Sequence, residues 1–346
     1  MSARLLVEAL RDPARVCGFD GAQWNALISC ARAERLIGTL ACRLADREVP
    51  VPVALILQDA RLDTAEGHRL ARWEVDRMLH ALAPLDVPVV LLKGSAYIAA
   101  GLRAGEGRSI GDLDILVPRE ALPVVEEALL TGGWEWVKPD PYDDAYYRQW
   151  MHELPPLIHR ERDRMIDVHH TILPLTAKPK PDAAAMIADS VVLGDGLRVL
   201  SPEDMVIHAA AHMLADGDLA GGLRNLWDIH CLCMEFSDAQ ADFFLSLAEQ
   251  ASSYNLSGPV MRALRLTNQI FGTPLVAYNS PARISYNEHW TDQLFRRRIL
   301  SCDIWGRDRH KLTGLGFYLR SHLLRMPPKM LARHLFTKWR KGHRPI

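Results

Sequence analysis

Two acidic residues, Asp112 and Asp114, have the type and spacing for metal chemistry. They lie in the segment DLDILV, whose alternation of acidic and apolar residues predicts a strand. Residues two apart in a strand point to the same face, so the two carboxylates project together. Neighbouring carboxylates repel each other unless a cation neutralises them, and Mg²⁺ takes carboxylate oxygens while keeping positions for phosphate oxygens. A metal-free alternative makes Asp112 a turn cap and Asp114 a surface strand residue.

Gly94 and Ser95 could form a phosphate-binding turn. They follow the apolar run VPVVLLK, which predicts a buried strand from Val87, and they precede a helix-like stretch, AYIAAGLRA. A glycine between a strand and a helix lets backbone N–H groups approach a ligand closely. The N-terminus of the following helix favours an anion, and the Ser95 hydroxyl adds a donor. We therefore predict a phosphate site on one strand and a metal-binding acid pair on the next.

A third acid, Asp167, alternates with apolar residues in the segment RMIDVHHTI. Together with the preceding run PPLIHR, this segment predicts a β-hairpin. An acid in such a pattern could simply face solvent. Beside Asp112 and Asp114 it would instead complete a set of carboxylates for two metal ions. His169 shares the predicted face of Asp167 and could contact a bound phosphate or a second substrate. A single strand histidine is, however, more often structural.

Two basic residues flank these motifs, and each has two interpretations. Lys93 precedes Gly94 and could either neutralise phosphate charge or cap the strand end in solvent. Arg108 stands four residues before Asp112 and could bind a triphosphate with two parallel hydrogen bonds. Its alternative is an arginine in a solvated loop. The residue pattern leaves both pairs of alternatives open.

The surrounding elements must bring these residues together. Residues 1–83 have the periodicity of helices, including one long helix from about Val53 to Ala83. Residues 84–200 contain the strands described above and a helix from about Arg119 to Thr131, which indicates a mixed α/β unit. This middle unit would hold every motif described so far.

From Ser201 to the end of the chain the periodicity is again helical. Ser201-Pro202-Glu203-Asp204 predicts a helix start, with serine at the N-cap, proline at the first helical position and an acid at the third. Residues 201–346 are therefore predicted to be a C-terminal helical domain that ends in a basic tail from Lys329. The expected fold class is α+β, a mixed-sheet core flanked by helices on both sides in the sequence.

Composition indicates a globular protein with ample apolar material for a core. Of 346 residues, 49% are hydrophobic and 24% are charged, and 41 Lys+Arg against 42 Asp+Glu give a net charge of −1. No CxxC pair occurs among the six cysteines, which favours reduced thiols. We see neither a signal peptide nor the run of ~20 apolar residues that a membrane span needs, so we expect a cytoplasmic protein.

The order of these motifs resembles a known superfamily. The pattern KGS…GDLDILV…IDVHH is similar to the nucleotidyltransferase signature of the polymerase beta-like superfamily: a strand, Gly-Ser, a helix, Asp-x-Asp, and one more Asp on a later strand. More narrowly, LLKGSAYIA, RSIGDLDILV, DVHHTI, SPEDMVIHAAAH and LRNLWDI resemble a group of bacterial proteins described as uncharacterised nucleotidyltransferases. The resemblance covers roughly residues 20–270. The gap between Gly94-Ser95 and Asp112 is longer than in minimal members, and the loop GLRAGEGRS takes up the difference.

The resemblance implies an activity and a set of roles. The chain would transfer an NMP, which we expect to be AMP, from an NTP to a hydroxyl with Mg²⁺ or Mn²⁺, releasing pyrophosphate. Asp112, Asp114 and Asp167 would bind metal, while Gly94 and Ser95 would hold the triphosphate. Lys93 and Arg108 are further candidates for the nucleotide site.

The residue that activates the acceptor hydroxyl is less clearly indicated. In related two-domain transferases the helical domain supplies a base, which makes His212 and Asp228 candidates beside His169. His208 and His212 lie four residues apart on one helical face, and such a pair could also bind zinc. No third ligand is evident in the sequence, so we expect this face to pack on the α/β unit or to line its cleft.

The acceptor itself is not specified by these motifs. We expect a small molecule or a protein side chain. The alternatives are a toxin-like tRNA nucleotidyltransferase and a non-catalytic nucleotide-binding module of the same fold. The near-neutral charge disfavours a nucleic-acid partner, the basic tail favours one, and the oligomeric state is open. All three acids are present, which disfavours the non-catalytic module.

Overall fold

The computed structural model describes residues 2–194, 196–215, 218–274, 290–325, 328 and 331–332. The basic residues of the predicted tail lie outside these described residues. Within the described part of the chain, no helix combines the length and the apolar character that crossing a membrane requires.

A seven-stranded mixed sheet forms the centre of the described structure, in the order β3-β4-β5-β2-β1-β7-β6. The strands are β1 (Val90–Leu91), β2 (Asp112–Leu116), β3 (Trp134–Trp136), β4 (Leu157–His159), β5 (Met165–His169), β6 (Val191–Val192) and β7 (Arg198–Val199). β2 runs parallel to β5 and β1 runs parallel to β7, while the other neighbours are antiparallel. The two acid-bearing segments of the sequence are therefore adjacent strands.

Helices precede the sheet in the sequence, as predicted. They are α1 (Ser2–Arg11), α2 (Gly21–Ala33), α3 (Ile37–Arg43) and α4 (Val51–Leu82). Asp20 and Gln23 begin α2 with a reciprocal capping box, in which each side chain accepts a hydrogen bond from the other residue's backbone N–H. The long helix α4 packs against β2 and against the helix that follows β1, so it reaches the predicted site.

Four helices lie within the α/β unit. They are α5 (Lys93–Ala99), α6 (Leu122–Thr131), α7 (Pro141–Trp150) and α8 (Ala183–Ala188). The predicted strand β2, the hairpin of β4 and β5, and the helix α6 are confirmed. The sequence analysis missed α7, α8 and the three short strands β3, β6 and β7, because elements of two to ten residues carry little periodicity.

The predicted strand from Val87 is shorter than expected. Only Val90 and Leu91 form strand pairs, and Leu92 adds one more hydrogen bond by donating to the carbonyl of Asp114. Lys93 then adopts a left-handed backbone conformation, with φ of 49°, and begins α5. Pro88 has no N–H to donate to a neighbouring strand, which contributes to the late start of β1.

The chain beyond residue 200 is helical in its described part. The helices are α9 (Pro202–Ala215), α10 (Gly222–Ala239), α11 (Phe243–Ser253), α12 (Ser257–Phe271), α13 (Asp292–Ile299) and α14 (Lys311–Arg325). The predicted start at Ser201 is confirmed, since its hydroxyl accepts a hydrogen bond from the N–H of Asp204 at 3.3 Å.

Buried residues from all three parts of the chain belong to one continuous hydrophobic core. Leu6, Ile115 and Leu226 are each fully buried in it, although they come from the N-terminal helices, the sheet and the C-terminal helices. A mixed sheet with helices around it confirms the predicted α+β fold class. The division of the chain at residues 83 and 200 into three domains stays a prediction.

Candidate active site

Three carboxylates converge on adjacent strands. In the parallel pairing of β2 with β5, Asp114 lies directly opposite Asp167. Asp112 lies two residues earlier on β2 and therefore on the same face. One oxygen from each of Asp112, Asp114 and Asp167 lies within 4.8 Å of the others, a separation that a divalent cation can bridge. Strand alternation buries the intervening Leu113 and Ile115 on the opposite side, which fixes the orientation of the acids.

Burial differs sharply among the three acids. Asp114 is only 2% exposed, Asp167 is half-buried and Asp112 is exposed, so the group opens to solvent at Asp112. The alternative that places Asp114 on the surface of the strand is therefore wrong. Burial and the negative charges of Asp114 and Asp112 raise the pKa of Asp167 to about 7.

Asp167 also has a buried oxygen, Oδ1, that makes no hydrogen bond. A buried polar atom without a partner is costly, and a bound cation would remove that cost. The cluster of three carboxylates, with this unpartnered oxygen of Asp167, fits a hard cation such as Mg²⁺ or Mn²⁺.

Lys93 supplies positive charge inside the group. Its Nζ lies 2.7 Å from Oδ1 of Asp114, and its side chain is 21% exposed. Burial alone would lower the pKa of Lys93, but the Asp114 carboxylate reverses that effect and raises it. Lys93 has a left-handed φ at the end of β1, and its side chain reaches Asp114 on β2. Of the two interpretations of Lys93, the one that places it in solvent is wrong.

His169 is the second partner of Asp114. Its Nε2 lies 3.0 Å from Oδ1 of Asp114, and the residue is 2% exposed. Burial would raise the pKa of Asp114, but Lys93 and His169 outweigh it and hold the pKa well below its usual range. Asp114 is therefore ionised and accepts hydrogen bonds from both neighbours.

Gly94 and Ser95 lie in the first turn of α5, beside these groups. A methyl group on Gly94 would overlap the guanidinium of Arg108 and the end of the Ile110 side chain, so both would have to shift to admit a larger residue. Ser95 is 5% exposed. The structure thus places the Gly-Ser turn, Lys93 and the carboxylates in one compact group.

Sequence comparison identifies the family to which the chain belongs. A family model described as "Uncharacterised nucleotidyltransferase" matches residues 20–272, which is more than half of the chain. The chain belongs to this nucleotidyltransferase family. Comparison with curated proteins gives no match. Every residue of the carboxylate group, the Gly-Ser turn and Arg108 falls within the matched range.

Arg108 and Asp228 contact each other in this family member. Nε of Arg108 lies 2.9 Å from Oδ2 of Asp228, and the Arg108 side chain is 16% exposed. The other oxygen of Asp228 lies 2.8 Å from Nη2 of Arg224, whose Nη1 donates to the hydroxyl of Thr39 at 2.7 Å. This arginine network joins α10 to the loop before β2 and to α3. The sequence analysis had assigned Arg108 and Asp228 to different roles, because a contact across 120 residues leaves no local signal.

His212 and His208 lie on α9, with ring centroids 6.4 Å apart. His208 is 3% exposed, and burial followed by the charge of Lys93 lowers its pKa well below the usual value. Burial lowers the pKa of His169 as well, and the charge of His212 contributes to that shift. This face of α9 therefore packs on the α/β unit near the carboxylates, as the sequence predicted.

Two cavities meet at Ser95. One, of about 410 Å³, lies between α4 and α5 and is lined by Arg72, Val75, Leu79 and Ile98 among others. A second, of about 20 Å³, continues along α4 to Gly111 and Asp112 and includes Glu74 and Arg164. The residues that α4 contributes were not predicted, because nothing in a helix's own sequence shows which face lines a distant strand.

Another cavity of about 410 Å³ is lined by Arg11, Arg43 and Trp227, together with other residues of α1, α3 and α10. None of the three aspartates lines it. None of them lines the cavity between α4 and α5 either, but that cavity shares Ser95 with the small pocket that reaches Asp112.

Proposed function

We propose that this chain transfers an NMP from an NTP to a hydroxyl acceptor and releases pyrophosphate. The observation that supports the proposal best is the convergence of Asp112, Asp114 and Asp167 beside Gly94-Ser95, with a buried carboxylate oxygen that has no partner. Family membership supports nucleotide transfer in general. We expect AMP as the transferred group and the cytoplasm as the location.

The carboxylates would hold Mg²⁺ or Mn²⁺ in this reaction. When bound, the metal supplies charge neutralisation at the triphosphate and a lowered pKa of the attacking hydroxyl. Asp114 is the fixed member of the group, since Lys93 and His169 hold it from two sides. Asp112, at the solvent end, is the member that an incoming nucleotide would meet first.

The turn at the head of α5 would hold the triphosphate. Lys93 provides an ammonium, Gly94 a backbone without a side chain and Ser95 a hydroxyl. All three belong to one helical turn. We assign Arg108 an indirect part. Its guanidinium packs against Gly94 and is held by Asp228, so it supports the turn from behind.

The cavity between α4 and α5 would receive the nucleoside. Its volume of about 410 Å³ lies within the range of small-molecule sites, and Ser95 lines both this cavity and the passage to Asp112. Apolar side chains such as Leu79 and Ile98 offer surfaces for a base, and Arg72 offers a donor. A nucleotide bound along this cleft would have its phosphates at Ser95 and the carboxylates.

In the reaction the acceptor oxygen forms a bond to the α-phosphorus, and the bond from that phosphorus to the bridging oxygen of pyrophosphate breaks. The hydroxyl proton must pass to a base, for which the candidates are His169, His212 and Asp228. Geometry disfavours Asp228, because each of its oxygens already lies within 3 Å of a guanidinium nitrogen. His169 is engaged with Asp114 through Nε2.

The test is a labelling experiment with four NTPs. Each α-labelled NTP is incubated with the full chain, Mg²⁺ or Mn²⁺, and the separated small-molecule, protein and RNA fractions of a cell extract. We expect metal-dependent transfer of label to small molecules or protein and stoichiometric release of pyrophosphate. Label in RNA would instead support the tRNA alternative, and bound nucleotide without transfer would support the non-catalytic module.

The matched variants are a double Asp112→Ala/Asp114→Ala chain and an Asp59→Ala chain. Asp59 is an exposed carboxylate on α4, so its removal should leave transfer unchanged. Equal labelling by the double variant and the wild type would show that these acids do not carry the reaction.

A further inference from the structure

A second group of ligating atoms lies next to the carboxylates. Glu153 pairs with His169 across an antiparallel bridge, in a segment that follows α7. Oε2 of Glu153 lies 3.5 Å from Nδ1 of His169 and 3.7 Å from Nε2 of His152. The rings of His152 and His169 have centroids 5.2 Å apart, and both residues are buried. Two imidazoles and one carboxylate therefore face one another inside the protein.

The hydrogen bond to Asp114 determines which nitrogen of His169 carries a proton. Oδ1 of Asp114 accepts a hydrogen bond from the Lys93 ammonium at 2.7 Å and lies 3.0 Å from Nε2 of His169, so we take Nε2 as a second donor to that oxygen. In a neutral imidazole the other nitrogen, Nδ1, then carries a lone pair. That atom is buried and makes no hydrogen bond, and it faces the Glu153 carboxylate. A lone pair aimed at a carboxylate oxygen is a repulsive arrangement unless a cation lies between them.

The same arrangement is found around metal-bound histidines in general. A ligating imidazole usually donates its second ring N–H to a carboxylate, which fixes its tautomer and orientation. Here Asp114 is that carboxylate, His169 is the imidazole, and Nδ1 is the free ligand position.

The spacing of the three ligating atoms fits a tetrahedral metal ion. With Zn–N and Zn–O bonds of about 2.0–2.2 Å, ligand atoms in a tetrahedral site are about 3.3–3.6 Å apart. The measured separations from Glu153 Oε2 are 3.5 and 3.7 Å, and one ligating atom from each of the three residues lies within 4.8 Å of the others. Only small side-chain shifts would be needed to close the site.

We propose that His152, Glu153 and His169 form a second metal site, which takes Zn²⁺ or a similar transition-metal ion. Two imidazole nitrogens with one carboxylate suit Zn²⁺, whereas the all-oxygen group of Asp112, Asp114 and Asp167 suits Mg²⁺. The two sites are adjacent but chemically distinct, and His169 joins them through its contact with Asp114. The fourth position on the zinc would be taken by water or substrate.

The backbone already holds the ligands in register. The N–H of Leu154 donates to the carbonyl of Val168 at 2.9 Å, and the N–H of His170 donates to the carbonyl of His152 at 2.9 Å. A metal here would link the segment after α7 to the end of β5. It would also fix the orientation in which the N–H of His169 donates to Asp114. The proposal does not depend on nucleotide transfer, since it rests on these ligands alone.

Zinc binding to the full chain tests the proposal directly. The purified protein is stripped with a strong chelator, dialysed and titrated with Zn²⁺ against a chromophoric chelator, in excess Mg²⁺ to occupy the carboxylate group. We expect one Zn²⁺ per chain with a dissociation constant below about 10 µM. Co²⁺ in place of Zn²⁺ should give the intense visible absorption of a four-coordinate site.

Conservative variants identify the ligands. His152→Gln and Glu153→Gln should each weaken Zn²⁺ binding at least about tenfold. The matched control is His170→Gln, which removes a buried histidine next to His169 on the opposite strand face and should leave the affinity unchanged. Asp112→Asn should also leave it unchanged, because Asp112 belongs to the oxygen site. Circular dichroism and melting temperature confirm that each variant is folded.

If a variant fails to fold, X-ray absorption at the zinc edge can identify the zinc ligands in the wild-type protein itself. Two imidazole neighbours around the zinc would support the site. Zinc without imidazole neighbours, no binding in excess Mg²⁺, or equal affinity in His152→Gln, Glu153→Gln and the wild type would each overturn it. Nucleotide transfer is measured separately, so failure of one proposal is distinguishable from failure of the other.

Discussion

Two charged clusters lie near the turn at Gly94: the carboxylate group of the three aspartates, and the arginine network around Asp228. They differ in the balance between positive and negative charge. In the carboxylate group, three acids converge with one lysine, and Asp167 keeps a buried oxygen without a partner. In the arginine network, each oxygen of Asp228 lies within 3 Å of a guanidinium nitrogen, although the contact between its Oδ1 and Nη2 of Arg224 is an ion pair without hydrogen-bond geometry.

The difference separates a site for a ligand from a structural connection. A cluster with excess negative charge is stabilised further by a cation, so it is suited to binding. A carboxylate with a guanidinium at each oxygen gains nothing from a ligand, but losing one partner leaves buried charges unpaired. Substitutions in the two clusters should therefore affect different properties of the protein.

Removing Asp112 should have the largest effect, and on activity alone. We expect Asp112→Ala to lower the transfer rate about a thousandfold, equivalent to about 4 kcal/mol, because the proposed metal site would lose a ligand. The melting temperature should stay within about a degree of the wild type, since Asp112 is exposed. Rates from label transfer and melting curves of the same preparations provide the measurement. A large loss of stability with normal transfer would reverse the roles of the two clusters.

Removing Asp228 should act on stability. Asp228→Ala leaves the guanidiniums of Arg108 and Arg224 buried without a carboxylate, and losing one partner of a buried ion pair costs about 3–5 kcal/mol. Urea unfolding followed by circular dichroism measures this, with Asp59→Ala as the exposed control. An unfolding free energy equal to that of the control would show that the arginine network contributes nothing to the fold.

Substituting Gly94 should reveal that the two clusters touch. Gly94→Ala places a methyl group where the Arg108 guanidinium lies, so we expect a loss of about 1–3 kcal/mol in stability from overpacking. In an Arg108→Ala background the same substitution should cost less, and a double-mutant cycle measures the coupling. Additive effects in this cycle would mean that Gly94 serves the ligand only and has no packing role against Arg108.

Glu34 is a third kind of buried carboxylate, which forms no ion pair within the described part of the chain. Burial raises its pKa from the usual 4.5 to about 7, while the charge of Arg298 only partly opposes the shift. The folded state therefore binds the proton more tightly than the unfolded state, and the free energy of unfolding should fall as pH rises from about 4.5 to 7.

Glu34→Gln should remove that slope and should be more stable than the wild type at pH 8, by about 1–2 kcal/mol after allowance for relaxation around the site. At pH 4 the two proteins should have similar stability. Urea unfolding across this pH range measures the difference. A constant difference at every pH would show that Glu34 does not titrate in the folded protein.

Local patterns were sufficient for the strands and for the residues that each strand presents on one face. Alternation in DLDILV and MIDVHH correctly indicated β2 and β5, and the Ser201 cap correctly indicated the start of α9. These signals are local because the strand and helix periods come from the backbone itself. The clustering of Asp112, Asp114 and Asp167 followed from the family resemblance, and the structure brings their oxygens together.

Partners distant in the sequence were not predictable. His152 and Glu153 stand in the segment MHELPP, which has no regular period, and they join the site only because that segment pairs with the end of β5. The residue pattern left Lys93 either in solvent or in the site, and its contact with Asp114 on another strand decides for the site. Side-chain direction at a turn depends on one backbone torsion, which the residue type of a lysine does not reveal.

The sequence by itself determined the α+β class, the acid-bearing strand faces and the family, since each depends on order and periodicity along the chain. Only the tertiary structure decided that β2 and β5 are parallel neighbours and that Asp114 is the buried member held by Lys93 and His169. It also decided that Arg108 pairs with Asp228 across 120 residues. The physical reason is that charge balance is a property of the space around a group, and residues far apart in the chain fill that space.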